Sequence, residues 1–142
     1  MPEAKIDRDY CLWIEEQVNN LKQKHYDRLD LPNLIEELEA LGRNEKNAVK
    51  SFTYQILLHL LLLDNWYEEC ERNKNHWRAE IDTFQFQLSD RLTSNLKNYL
   101  EAELDYIYSK ARKTAIDRSG VESDRFPEQR KYSLNDITGE DS

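Results

Sequence analysis

Between Gly42 and Gly120 the chain contains neither glycine nor proline. The residues that tight turns most need are missing from its entire middle, so a stretch of that length reads as helix with short polar breaks. The apolar periodicity agrees. Cys11, Ile14, Val18 and Leu21 recur at spacings of three and four and predict a helix from about Asp9 to Lys24, with Asp9 as its N-cap. Leu34, Ile35, Leu38 and Leu41 predict a short second helix with these residues as its buried inner face. Pro32 falls in its first turn, Asp30 is placed to accept from a free backbone N–H, and Gly42 is expected to end it as a C-terminal cap.

Asn44 then stands as the cap of a third helix that carries Val49, Phe52, Ile56, Leu60 and Leu63 to about Trp66. Its middle is apolar nearly all round, which predicts a central helix covered on several sides. Trp77, Ile81, Phe84 and Leu88 mark a fourth helix, and Leu96, Leu100, Leu104, Ile107 and Ala111 a fifth, with a break near 93 to 95. Beyond Gly120 the pattern lapses, until Ser133 can cap a last short helix over Leu134 and Ile137. No alternation of period two lasts long enough for a strand. The expected architecture is all-α, an up-and-down bundle of four to five helices with a short C-terminal helix. It forms one domain over residues 1–142, regular over about 6–119 and less so over 120–142.

With 142 residues, 39 % of them hydrophobic, the chain can build such a core without a disulfide framework or a structural metal. Cys11 and Cys70 are far apart and show no metal-ligand spacing, which fits free thiols in a reducing compartment. The apolar run from Ile56 to Leu63 is interrupted by His59 and is much shorter than the roughly 20 residues of a membrane span. No basic region precedes an apolar segment at the N-terminus, so no signal peptide is expected, and the predicted location is cytoplasmic. A formal charge of −8 argues against DNA as a partner, since phosphate binding draws on lysine and arginine.

Three segments carry a resemblance. They are IDRDYCLW over 6–13, LDLPNLIEELEALGR over 29–43 and LHLL over 58–61. They are similar to the bacterial family known as domain of unknown function 29, which has an aspartate and tryptophan opening, an LD-x-x-NLIEE-x-E-x-LG segment and an HLLK segment. The likeness extends over roughly residues 6 to 138, because HWRAEIDTFQ over 76–85 and the pair Phe126-Pro127 correspond to later family features. The chain departs from the family pattern at Leu62, Glu80, Phe84 and Gln85. The resemblance implies a helical fold and a bacterial cytosolic setting, and it implies no activity.

Two constellations bear on function. Asp30, Asn33, Glu36 and Glu37 gather on the first turns of the second helix, where they read either as a carboxylate site or, with more weight, as capping and favourable charge at a helix N-terminus. His59 lies in the most apolar segment and needs a hydrogen-bond partner. The sharper reading pairs it with Glu36 or Glu37 for acid/base or metal chemistry; the plainer one makes it a satisfied core histidine. No pair of Glu-x-x-His motifs supports a di-metal bundle, and no metal or other cofactor is expected. Arg72, Lys74, Trp77 and Arg78 form a basic and aromatic patch that reads as an RNA contact, or as a solvated turn beside a core tryptophan. Common catalytic signatures, among them GxSxG, HExxH and phosphate-binding glycine loops, do not occur. The expected function is binding, through a protein partner or self-association. RNA or ribonucleoprotein binding is the alternative, and an enzyme using His59 with a glutamate carries the least weight.

Overall fold

A computed structural model describes residues 9–140 of the chain. Five helices account for most of them: α1 (Tyr10–Lys22), α2 (Leu31–Asn65), α3 (Tyr67–Arg91), α4 (Ser94–Ser119) and the short α5 (Leu134–Thr138). Single 3-10 turns lie at Tyr26–Arg28 and Ser123–Arg125, and no strand occurs among the described residues. The all-α class expected from periodicity is what the chain adopts. The residues group into two compact units, one ending at Asn44 and the other beginning at Glu45.

In the first unit, Asp9 caps α1 by accepting from the Leu12 N–H at 3.0 Å, and Lys24 takes a left-handed conformation (φ 60°) just past the helix end. Gly42 does not do what its position in the sequence predicts. It lies inside α2, as does Asn44, so the expected second and third helices are one continuous element of 35 residues. A C-terminal glycine cap needs positive φ, and the glycines with that geometry are Gly120 and Gly139. Strong helix formers flank Gly42 on both sides, and Arg43 pairs with Glu39 one turn back at 3.9 Å. A single glycine costs a helix roughly 1 kcal/mol, too little to break one with such neighbours.

The second unit is built around the apolar half of α2. Val49, Ile56, Leu57, Leu58, Leu61 and Leu62 are buried, with Trp77, Ile81 and Leu88 of α3 and Leu100, Leu104, Ile107 and Ala111 of α4 in the same cluster. One residue, Trp66, separates α2 from α3, and its indole stacks on Trp77 with centroids 5.9 Å apart. Leu92 and Thr93 separate α3 from α4, and the Thr93 hydroxyl caps α4 at the Leu96 N–H.

The segment after Gly120 is held more firmly than its composition predicts. Phe126 is fully buried, and the Arg112 guanidinium donates to the carbonyls of Phe126 and Ser123 at 2.9 and 3.0 Å. The Tyr108 hydroxyl donates to the Pro127 carbonyl, and Arg130 binds Asp105 at 2.8 Å. Tyr132 donates to Asp64 at 2.5 Å, and burial together with that carboxylate pushes its phenol well above the ordinary tyrosine range. A complete capping box at Ser133 and Asp136 starts α5.

Two substitutions test this account. A Cβ at Gly42 would meet nothing within 4 Å, so Gly42→Ala is expected to stabilise the chain by roughly 0.5–1 kcal/mol; a loss of stability would show that the position is not ordinary helix. Leu61→Ala, in contrast, is expected to cost about 2–5 kcal/mol by chemical denaturation, as a fully buried leucine should.

Candidate functional site

The polar cluster at the start of α2 is a clasp within the first unit. The Asp30 carboxylate accepts from the Trp13 indole N–H at 3.0 Å and from the Asn33 amide at 2.8 Å. Its backbone N–H donates to the Gln17 side-chain oxygen at 2.8 Å. Trp13 and Gln17 lie one turn apart on α1 and are its buried residues. One aspartate therefore fastens α1 to the first turn of α2. Hydrogen bonds from the Asn33 side chain, the Trp13 indole and the Asn33 backbone hold the Asp30 carboxyl below the usual range despite partial burial.

Glu37 is held on the same α1 by a hydrogen bond from the Tyr10 hydroxyl at 2.8 Å, while Glu36 is exposed. The Tyr10 ring stacks near Trp13, with centroids 6.2 Å apart. Asp30 and Glu37 thus accept hydrogen bonds from the α1 aromatics, while Asn33 supports Asp30. Tyr10, Trp13 and Gln17 are partners that spacing alone did not reveal, because contacts between helices are invisible to periodicity within one.

His59 is buried in the second unit, and its Nδ1 donates to the Gln55 carbonyl of the preceding turn at 2.7 Å. This is the bond that the plainer reading, a satisfied core histidine, requires. Among the described residues no group of three or more His, Cys, Asp or Glu is placed to hold a metal ion.

Arg72, Lys74, Trp77 and Arg78 lie within α3, not in a turn before it. Trp77 is buried against Trp66, so its ring is not offered to a base; Lys74 pairs with Glu71 at 3.9 Å, and Arg72 and Arg78 are exposed. A different basic and aromatic cluster lies on α2 and α4, where Lys50 and Lys110 approach the Tyr106 ring to 5.2 and 5.5 Å beside a shallow cleft of about 260 Å³.

The largest departure from expectation is apolar. Ile35, Leu38 and Leu41, expected as the buried face of a helix, are 52, 58 and 57 % exposed, and Ile14, Val18 and Leu21 of α1 are exposed too. All of these except Ile35 border a groove of about 350 Å³ between α1 and the first turns of α2, lined also by Trp13, Gln17 and Leu34. The reason is geometric. A short helix clasped to the first turns of a long one through Trp13 and Gln17 covers it along a single line, and an apolar stripe on each needs a further layer to bury it.

Because the folded-state Asp30 carboxyl is depressed below its ordinary 3.8, its contribution is present above that pH and is lost as pH falls through the lower folded value. The indole N–H resonance of Trp13 is expected to lose its hydrogen-bonded shift across that acid window and to do so already at neutral pH in Asp30→Ala. A signal indifferent to both changes would remove the clasp. As a cap alone, Asp30→Ala is expected to cost about 0.5–2 kcal/mol.

Comparison with known families gives one result. Residues 6–141 match the model of Domain of unknown function DUF29, nearly the whole chain. Neither a curated protein nor a solved structure matches it. No helix among the described residues is long and apolar enough to cross a membrane. An all-helical chain that carries the family's signature from its first helix to its last therefore belongs to the DUF29 family.

Proposed function

We propose that this protein acts by binding a helical polypeptide through the exposed face formed by α1 and the first turns of α2. The observation that carries this reading is the apolar groove itself. Five large aliphatic side chains from two adjacent helices, Ile14, Val18, Leu21, Leu38 and Leu41, stand exposed around it, whereas a soluble surface that needs no partner keeps contiguous apolar patches small. Their spacing fits the occupant. Grooves between two helices take a third whose apolar residues recur at three and four, because such residues seat between the ridges of both. The polar clasp supports the role by fixing the two walls of the groove before a partner arrives, which lowers the ordering cost of association.

Photo-crosslinking in the native host tests the proposal. A photoreactive residue at Leu38 or Val18 is expected to trap a polypeptide, whereas one at Phe86, more exposed than either but remote in sequence on α3, is expected to trap none. Equal trapping at all three positions, or none at Leu38 and Val18, would overturn the reading.

A further inference from the structure

We infer that the shallow cleft between α2 and α4 is a second site, one that takes a small phosphorylated molecule. It lies wholly within the second unit and is independent of the role proposed for the groove. Asn47, Lys50, Ser51 and Tyr54 stand at positions i, i+3, i+4 and i+7 of α2, so they share one helix face. Tyr106 and Lys110, one turn apart on α4, complete the cleft together with the buried Ile107.

Two cations converge there on one ring. The Lys50 Nζ is 5.2 Å and the Lys110 Nζ 5.5 Å from the centroid of Tyr106, whose π face draws together two charges that repel each other. Elsewhere in this unit, cations that bridge two segments do so to acids: Arg91 to Glu45, Lys97 to Glu140, Arg125 to Glu68 and Arg130 to Asp105. Among the described residues no carboxylate pairs with Lys50 or Lys110. Nor does any acid line the cleft, although 28 of the 142 residues are Asp or Glu.

The neutral polar groups of the cleft add donors. The Asn47 amide and the Ser51 hydroxyl are exposed, and neither side chain makes a hydrogen bond among the described residues. The Tyr54 hydroxyl donates to Thr114 at 2.7 Å, which ties α2 to α4 beside them. Donors set around two uncompensated cations select an anion rich in acceptor oxygens. A terminal phosphoryl group brings three such oxygens and a charge of about −1.5 to −2 at neutral pH, enough for both lysines, whereas a carboxylate brings one charge. A cleft of about 260 Å³ lies below the usual range for larger ligands, which keeps the occupant small. Single-stranded RNA fits less well, because base stacking needs a free aromatic face and both lysines already engage the Tyr106 ring.

An amide NMR titration of the full chain with inorganic phosphate, up to about 20 mM at low salt, reads the affinity residue by residue. Saturable shifts are expected at Asn47, Lys50, Ser51, Tyr106 and Lys110, and none from sodium chloride at equal ionic strength. Lys50→Gln and Lys110→Gln are each expected to weaken binding about tenfold. Lys50→Arg, which keeps the charge, is expected to retain it. Lys113→Gln removes an exposed charge of α4 that does not line the cleft and is expected to change affinity less than about twofold. Absence of saturation, or an equal loss in Lys113→Gln, overturns the site. Phosphatidylglycerol vesicles and a single-stranded RNA of about ten nucleotides present the same chemistry on larger bodies. Binding to either of these without saturation by phosphate also overturns the small-molecule reading.

Discussion

Everything from Glu45 onward answers one constraint, the apolar circumference of α2 between Val49 and Leu62. A helix that is apolar on one stripe needs one neighbour; one that is apolar on nearly every side must be enclosed. α3 and α4 supply two walls. The segment after Gly120 supplies more cover with Phe126, Leu134 and Ile137, even though most of its backbone lies outside regular helix. Such a segment cannot satisfy its carbonyls by itself, and Arg112 does so for Phe126 and Ser123. The polar contacts of this region thus follow from the burial, since each ties down backbone that apolar side chains have drawn inward.

The first unit obeys the opposite logic. Among its described residues only Trp13 and Gln17 are buried, and one of these is polar. Its order comes from directional bonds to a single aspartate, aided by the Tyr10 contact with Glu37. Such bonds contribute about 0.5–1.5 kcal/mol each, and somewhat more to a charged group, so they fix geometry better than they stabilise. A set of walls that is well oriented but poorly enclosed is what the proposed binding role requires.

Much of this was legible in the residues. The caps Asp9, Thr93 and Ser133 are small polar side chains that announce a helix start, although the sequence reading placed the break near Thr93 only to within a few residues. The core stripes of α3 and α4 were equally plain, because a period of three to four survives in any order of neighbours. Gly42 misled because a glycine after an apolar run looks like a cap whether or not its φ turns positive, and that choice depends on the continuity of the helix beyond it. The face of Leu38 and Leu41 was misread as buried for a related reason. Periodicity identifies which side of a helix is apolar and carries no information on whether anything covers it. The clasp was half visible: Asp30 and Asn33 were apparent as a cluster, but their α1 partners Trp13 and Gln17 are set by tertiary approach.

The sparse burial of the first unit has a consequence for how its folding is controlled. A region with few enclosed side chains opens locally at low free energy, and its amides should exchange with solvent long before those of the enclosed half of α2. Any occupant of the groove binds the closed form alone and so draws that opening equilibrium back by mass action. On the proposed binding role, the order of residues 9–44 becomes less a fixed property of the chain than a function of how much occupant surrounds it, and the α2 backbone carries a gradient of protection from a conditional end to a permanent one.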